Sequence, residues 1–289
     1  MVCHPSSVSL HVETLLARGY LVLEDALAPA VLGAVHADLW DDFERTPFGK
    51  GQFYGDATKR FGRLPLRSRA VHDLILHAHV LAIVEAVLGP SCDTVQLNTT
   101  QAISVHPGQG QQLPHRDQDM WRLEPGSREC LVNVMWPLTP FTARNGGTVI
   151  WPESHSSKAA SHSALPAPIV PDLMPGAALM FLGSTLHGAG ANCSRAERRG
   201  VLIGYALGWL KPYENPWLAY PPELARTFPP ALAALAGYVQ HRPNLGNFEG
   251  QCPSVLLRGY AGEPLGAVDA LREDQESAAA TWLAQGQVP

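Results

Sequence analysis

The central part of the chain, from Thr94 to Leu210, places the strongest constraint on the fold. It consists of short runs rich in β-branched, aliphatic and aromatic residues, separated by Gly, Pro and Asn. These runs are Val95–Val105, Cys130–Leu138, Thr148–Trp151, Ala177–Leu182 and Val201–Trp209. Many short strands with turn residues between them are typical of a barrel or a double-sheet jelly roll. We therefore predict a mainly β protein.

Helical patterns flank this β-rich part on both sides. Apolar residues at helical spacing follow Pro29, and a second helical pattern runs from about Ser68 to Leu88 before Gly89-Pro90 ends it. Beyond Lys211-Pro212, helices are predicted around Pro222–Gly237 and Leu265–Gln285. Because no linker is long enough to divide the chain, we predict one domain over residues 1–289. It has a helical part at about 1–92, a jelly-roll core at about 93–212 and a helical extension at about 213–289.

Charge and cysteine content restrict the partners. The chain has 21 Lys and Arg residues against 26 Asp and Glu residues, a net charge of −5, which argues against a dedicated binder of nucleic acid or anionic membrane. The five cysteines are scattered and never form a C-x-x-C pair, so no disulfide framework is predicted and a reducing cytoplasm is expected. We also identify no secretory signal at the amino terminus and no apolar run of about 20 residues. The expected partner is a small molecule; a homodimer is left open.

The most informative motif is the segment His115-Arg116-Asp117. A His and an Asp two residues apart on a strand project from the same face, so both can bind one metal ion. A later strand has to supply the third ligand, and His187 is the best-placed candidate. Two imidazoles and one carboxylate leave three positions open, as a catalytic non-haem iron(II) site needs for a bidentate co-substrate and dioxygen. Zinc prefers a closed or singly open tetrahedral site.

A basic residue, Arg198, follows the distal histidine, His187, 11 residues later in the chain. Arg198 stands where the chain turns into an apolar strand, so its guanidinium can point back into the same cavity. A planar fork of donors suits the distal carboxylate of a dicarboxylic co-substrate such as 2-oxoglutarate. Arg199 is the competing assignment. An isolated H-x-D pair is more often a surface pair, but together with His187 and Arg198 it favours a metal site.

These residues resemble the phytanoyl-CoA hydroxylase-like (PhyH) iron(II)/2-oxoglutarate dioxygenases. The resemblance covers roughly Gly19 to Glu214 and is closest to the branch that acts on natural products, including meroterpenoid and alkaloid oxygenases. Besides His115-Arg116-Asp117-Gln118, His187 and Arg198, it is carried by Asn133–Phe141, Asn145–Thr148 and Pro152–His155. It implies a double-stranded β-helix (jelly-roll, cupin-like) core, Fe(II) as the metal, 2-oxoglutarate as co-substrate and dioxygen as oxidant.

The resemblance also implies further contacts to 2-oxoglutarate. In that branch a Gln three residues before the first His and the Thr of an N-G-x-T turn contact the co-substrate, and these positions correspond to Gln112 and Thr148. An upstream Arg contributes in some members, and Arg60 or Arg63 corresponds to it. The carboxyl-terminal part departs from the family pattern, so the resemblance says least about the substrate there.

The expected activity is hydroxylation, desaturation or rearrangement of a small organic substrate in natural-product biosynthesis. An alternative is a hydroxylase of a free amino acid or compatible solute, similar to ectoine hydroxylase, which additional Arg or acidic anchors in the pocket would favour. A non-catalytic, cupin-like binding module is a third alternative, and the complete set of His115, Asp117, His187 and Arg198 argues against it.

The sequence also gives expectations for one loop and for two residues near the metal motif. The loop Phe48–Arg63 is either a lid over the substrate or an ordinary surface connection. Trp121 is expected in an apolar substrate pocket, because it follows the metal motif closely. Arg116 lies between the two ligands, so it should point to the opposite face and form a structural ion pair.

Overall fold

The structure is a computed structural model, and it describes residues 5–123, 127–156 and 165–285. Its helices are α1 (Pro5–Arg18), α2 (Pro29–Asp38), α3 (Trp40–Arg45), α4 (Leu64–Arg67), α5 (Val71–Ile75), α6 (Ala78–Leu88), α7 (Pro216–Ala219), α8 (Pro222–Ala225), α9 (Pro230–Leu235) and α10 (Glu273–Ala284). Its strands are β1 (Tyr20–Leu23), β2 (Thr58–Phe61), β3 (Val95–Val105), β4 (Leu131–Pro137), β5 (Thr148–Ile150), β6 (Ala178–Leu182), β7 (His187–Ala189) and β8 (Arg198–Leu207).

The strands form two antiparallel sheets. The larger sheet has the order β1-β6-β4-β8-β3-β2, and the smaller one pairs β5 with β7. β3 and β8 pair from Val95 opposite Leu207 to Val105 opposite Arg198. An isolated bridge between His115 and His187 extends the smaller sheet. Two antiparallel sheets with flanking helices confirm the predicted jelly-roll fold.

Each face of the larger sheet packs against a different apolar cluster. On β4, the alternate residues Val132, Val134 and Trp136 belong to a large cluster that also contains side chains of α2, α5, α6 and α9. Met135, between them, belongs to a smaller cluster inside the roll with Ile103 and others. Because both faces are covered, every residue of β4 is buried, which explains why its sequence is a nearly continuous apolar run.

The predicted central strands are confirmed with small shifts at their ends. The amino-terminal part, by contrast, contributes more than helices: β1 pairs with β6, and β2 pairs with β3. Each of these two strands has only four residues. Such short runs carry no periodicity that separates a strand from a helix, so their pairing depends on distant partners.

The predicted helix from about Ser68 to Leu88 is interrupted. α5 ends before Leu76, and His77 takes an extended conformation as the N-cap of α6, where its Nδ1 accepts a hydrogen bond from the amide of Val80 at 3.3 Å. Its Nε2 bonds the carbonyl of Ala26 at 2.9 Å. Capping by a side chain competes with continuation of the helix, and the sequence pattern did not reveal it.

By length and composition alone, the segment Val71–Ser91, with mean hydropathy 1.7, is sufficient to cross a membrane. In the structure it is divided into α5, α6 and a 3₁₀ turn, and many of its apolar side chains, such as Leu74 and Ile83, belong to the large cluster. Its apolar character is therefore accounted for by core packing. Cys3 lies outside the described residues, and the other four cysteines are free thiols.

Candidate active site

Two histidines and one aspartate meet at the mouth of the roll. His187 begins β7, and His115 is bridged to it by backbone hydrogen bonds of 3.0 Å in both directions. Asp117 is not on a strand as predicted: Arg116 is extended, and a 3₁₀ helix begins at Asp117. One ligand atom from each of the three side chains lies within 4.8 Å of those of the other two. The bridge and the turn after it therefore bring the three predicted ligands together.

Hydrogen bonds to the backbone orient both imidazoles. Nδ1 of His115 donates to the carbonyl of Leu113 at 2.9 Å, and Nδ1 of His187 donates to the carbonyl of Thr185 at 2.9 Å. A carbonyl only accepts, so Nδ1 of each ring is a donor, and Nε2 is the ring atom that faces Asp117 and can coordinate a metal ion. These Nε2 atoms lie 3.3 Å and 3.5 Å from the carboxylate oxygens of Asp117. Metal-binding histidines usually donate their other ring N–H to a backbone carbonyl or carboxylate in this way.

The electrostatics of the cluster keep the carboxylate ionised. Burial raises the pKa of Asp117, but the charge of His187 and hydrogen bonds from both histidines outweigh it and hold that pKa well below its usual value. For His115, burial lowers the pKa, whereas the neighbouring Asp117 raises it to a net value above the usual one. A divalent cation would replace these proton-mediated contacts with coordination to the same atoms.

Arg198 is a buried cation with one free nitrogen. It begins β8, is 1% exposed, and its Nε and Nη2 both donate to the carbonyl of Gly146, at 2.9 Å and 2.6 Å. Its Cζ lies 4.1 Å from the ring centroid of Phe141. Nη1 is buried and has no hydrogen-bond partner among the described residues. Burial, with a smaller contribution from the charge of Arg60, lowers the pKa of Arg198 to about 9, so the guanidinium is cationic at neutral pH.

The alternative residue, Arg199, points away from the cavity. Its Nη2 donates to Glu44 at 2.8 Å and also to Glu197, and its Cζ lies 4.3 Å from the ring centroid of Trp40. Successive residues of a strand face opposite sides, so only one of the two arginines can line the cavity. That residue is Arg198.

Thr148 and Gln112 both border the cavity, but only the side chain of Gln112 has hydrogen-bond partners among the described residues. The Oγ1 atom of Thr148 is buried and has no partner in the described part of the chain. The amide of Gln112 is already used, since its Oε1 accepts from the amide of Ala189 at 3.1 Å and its Nε2 donates to the carbonyl of Phe53 at 3.2 Å. Gln112 therefore ties the loop that carries Phe53 to β7.

The cavity between the sheets has a volume of about 100 Å³. Its lining comprises the three candidate ligands, Arg198, Thr148, Gln112, and the additional residues Phe53, Tyr54, Arg60, Asn98, Thr99, Gln101, Ile103, Met120, Asn133, Met135, Phe181, Gly188, Ala189, Leu202 and Tyr213. Among the described residues, Asp117 is the only acidic one in this lining.

Of the two upstream arginines considered, Arg60 lines the cavity. It lies on β2, its Nη1 donates to Gln101 at 3.1 Å, and its buried Nε has no partner among the residues described. Burial lowers the pKa of Arg60. Arg63 donates instead to the carbonyl of Ala219 at 3.1 Å. The position of Arg60 on a strand of the main sheet could not be read from its sequence context.

Two expectations about neighbouring residues have different outcomes. The expectation for Trp121 was wrong: its indole donates to the carbonyl of Lys211 at 2.9 Å and packs on the large cluster, and Met120 lines the cavity. Arg116 has the predicted structural role, but its recorded hydrogen bonds go to the carbonyls of Ser184 and Ser154, each at 3.0 Å. These carbonyls, not an acidic side chain, satisfy its donors.

The predicted loop Phe48–Arg63 contains strand β2, and its residues Phe53, Tyr54 and Arg60 line the cavity. Phe53 stacks edge-on against His115 with 4.7 Å between ring centroids, and the hydroxyl groups of Tyr54 and Tyr213 lie 2.7 Å apart. Phe53 and Tyr54 remain 43% and 40% exposed. Their apolar rings thus form part of the mouth.

Comparison with known proteins finds similar sequences. The pattern of the family described as phytanoyl-CoA dioxygenase (PhyH) matches residues 16–200. Dioxygenase FrzG of Cladobotryum sp is 32% identical over 219 residues, which cover 70% of this chain and 71% of that protein. Dioxygenase trt7 of Aspergillus terreus is 29% identical over 230 residues, covering 76% and 80%.

Solved structures share the fold. The non-heme alpha ketoglutarate dependent epimerase SnoN from nogalamycin biosynthesis superposes with a TM-score of 0.61 at 16% identity, over 73% of this chain and 87% of that chain. HygX from Streptomyces hygroscopicus, with nickel and 2-oxoglutarate bound, gives a TM-score of 0.56 at 15% identity, over 71% and 89%.

A jelly roll that carries two histidines and an aspartate at its mouth, with an arginine behind them, defines an iron(II)- and 2-oxoglutarate-dependent oxygenase. The chain belongs to the phytanoyl-CoA dioxygenase (PhyH) family. It is a dioxygenase that uses Fe(II), 2-oxoglutarate and dioxygen.

Proposed function

We propose that His115, Asp117 and His187 hold the iron, and that Arg198 and Thr148 bind the distal carboxylate of 2-oxoglutarate. The observation that carries this proposal is a pair of buried, unpaired polar atoms, Nη1 of Arg198 and Oγ1 of Thr148, in the cavity that contains the three ligands. Buried polar atoms without partners are uncommon, and a carboxylate satisfies both donors at once. Gln112, whose amide bonds Ala189 and Phe53, assists indirectly by holding the loop that carries Phe53 against β7.

When bound, the iron couples the oxidative decarboxylation of 2-oxoglutarate by dioxygen to the oxidation of a substrate C–H bond. The protein's own contribution is orientation and exclusion of water. Backbone carbonyls fix the two imidazole rings, and the guanidinium of Arg198 fixes the co-substrate by its far end. Ile103, Phe181 and Leu202 line the cavity with apolar surface and limit access of water.

We propose that the substrate is a small, largely apolar organic molecule in natural-product biosynthesis, which the enzyme hydroxylates, desaturates or rearranges. A cavity of about 100 Å³ is well below the roughly 300–1,000 Å³ of drug-sized ligand pockets. The co-substrate therefore occupies the interior, and the substrate binds at the mouth, beside the half-exposed side chains of Phe53, Tyr54 and Met120. The biosynthetic origin of SnoN, named above, is consistent with this class.

The alternative, a free amino acid or compatible solute, finds one of the anchors that would favour it, since Arg60 lines the cavity, but it lacks an acidic one. A free amino acid presents an ammonium group that calls for an acidic partner, and Asp117 is the only acidic residue among the lining residues described. Since Asp117 is assigned to the metal, the cavity lining offers no second carboxylate for that ammonium. A cytoplasmic location and the absence of nucleic-acid and membrane partners remain predictions from charge and cysteine pattern, and homodimer formation remains open.

The direct test is an anaerobic titration of purified apo-protein with iron(II) and then 2-oxoglutarate. We expect a weak visible metal-to-ligand charge-transfer band, followed by succinate release when oxygen is admitted. His187→Ala should lose both signals, because it removes one of three ligands. A wild-type protein that shows neither the band nor succinate at saturating ligand would instead be the cupin-like binding module, and normal iron content with full activity in His187→Ala would refute the ligand assignment.

A further inference from the structure

We propose that Asn133 is a positioning residue that holds one oxygen of Asp117, so that this carboxylate binds the metal through its other oxygen only. The inference rests on the proposed role of Asp117 as a metal ligand. It concerns a residue that neither the motif nor its spacing indicated, and it assigns a task to a polar side chain in the middle of an apolar strand.

The position of Asn133 is unusual for an amide. It is 1% exposed, on a strand whose seven residues are all buried. It lies opposite Phe181 on β6 and Gly204 on β8. A buried amide without a hydrogen-bond partner is costly, so its presence in an apolar strand calls for a partner.

That partner is the candidate metal ligand. Nδ2 of Asn133 donates to Oδ2 of Asp117 at 2.7 Å, a length typical of a hydrogen bond to a charged acceptor. Within the described ranges, the other recorded contacts of this carboxylate are with Nε2 of His115 and Nε2 of His187, the two atoms assigned to the metal. Among the described residues, Asn133 is therefore the side chain that hydrogen-bonds Asp117 without being a candidate metal ligand itself.

The neighbouring strand leaves room for this amide. A Cβ atom placed on Gly204 would lie 3.0 Å from Oδ1 of Asn133 and 3.4 Å from Cβ of Asn98. A larger residue at position 204 would therefore press on the amide from the side opposite Asp117. Gly204 on β8 thus leaves the space that the amide of Asn133 on β4 occupies.

The chemical consequence follows from the number of coordination positions. Asp117 lies at the start of a 3₁₀ helix, just after the bridge, so no regular strand fixes its side chain. A carboxylate free to turn can bind a cation through both oxygens and use a position that the co-substrate or dioxygen requires. Oδ1 lies 3.3 Å from Nε2 of His115, and Oδ2 lies 3.5 Å from Nε2 of His187. Because Oδ2 is the oxygen that Asn133 already holds, Oδ1 is the one left for the metal.

The test measures metal binding, not turnover. We would titrate Co(II) into the apo forms of wild type, Asn133→Leu and Asn133→Ala, and follow the visible d–d absorption band and the dissociation constant. Loss of a group that hydrogen-bonds a metal ligand typically weakens metal binding by about 10–100-fold. We expect a loss of that size for both variants, together with a shifted band. Asn133→Ala removes the amide without adding bulk, so it still allows the Co(II) titration if Asn133→Leu does not fold.

Gln96→Leu is the matched control. Gln96 is also a buried amide in the larger sheet, but its Nε2 donates to the carbonyls of Leu207 and Leu210, away from the metal site. It should lower the Tm and leave Co(II) binding unchanged. Wild-type affinity and an unshifted band in the folded Asn133 variants would overturn the inference, as would an equal loss of affinity in Gln96→Leu.

Asp117→Ala distinguishes a wrong ligand set from a wrong role for Asn133. If Asp117→Ala binds Co(II) as wild type does, the proposed ligand set is wrong. If Asp117→Ala loses Co(II) but the Asn133 variants keep it, the ligand set stands and only the role of Asn133 is refuted.

Discussion

Replacing Arg198 with methionine tests how the protein binds its co-substrate. The wild-type guanidinium already spends Nε and Nη2 on the carbonyl of Gly146, so Nη1 is the nitrogen available for a carboxylate. A hydrogen bond to a charged group contributes about 1.5–3 kcal/mol. At 1.4 kcal/mol for each factor of ten, Arg198→Met should raise the Kd for 2-oxoglutarate by about 10- to 150-fold.

The assay is the anaerobic charge-transfer titration with the iron concentration held at saturation. Arg199→Met is the control, because Arg199 is equally buried and adjacent on β8 but contacts Glu44 and Glu197 on the opposite face. It should lower the free energy of unfolding and leave the Kd for 2-oxoglutarate unchanged. Affinity unchanged in Arg198→Met, or the same loss in Arg199→Met, would refute the assignment of Arg198.

Two further substitutions have opposite expected effects on stability. Thr148→Val removes a buried hydroxyl that has no recorded partner, so the apo-protein should gain up to about 1 kcal/mol in urea unfolding, while the Kd for 2-oxoglutarate rises by about 2- to 10-fold; a destabilised apo-protein would contradict this. Asp93 accepts hydrogen bonds from the side chain and backbone of Arg242, which hold its pKa below the usual 3.8. Because a lowered folded-state pKa stabilises the protein above the unfolded pKa, Asp93→Asn should have a lower Tm than wild type at neutral pH, and the difference should shrink as the pH falls through the lowered pKa. A Tm difference that does not change between neutral pH and pH 3 would show that the Asp93 charge is not its source.

The central strands could be predicted from the sequence because their signal is local. β3 begins and ends as predicted, β4 is one residue shorter at both ends, and β5 and β6 are each one residue shorter at one end. β1 and β2 could not be predicted, since a four-residue strand is specified by the partner it meets in space. The helical pattern near residue 77 was misleading because the side-chain cap at His77 is a local competitor that hydrophobic spacing does not reveal.

The candidate site divides in a similar way. The residue types of the proposed ligand set, two imidazoles and a carboxylate near a basic residue, were present in the sequence as the motif at residues 115–117 and as His187 and Arg198. A hint of Asn133 was also present, as a polar residue inside an apolar run, but nothing in the chain order connected it with Asp117, sixteen residues earlier.

The sequence by itself determined the β-rich core, its helical flanks and the kinds of side chain that the chemistry uses, because strand pattern and residue identity are properties of short segments. Only the tertiary structure decided which of two adjacent arginines faces the cavity, that Arg60 and not Arg63 joins it, and that Asn133 reaches Asp117. The physical reason is that the facing of a side chain depends on strand register, and register is fixed by packing between segments far apart in the chain.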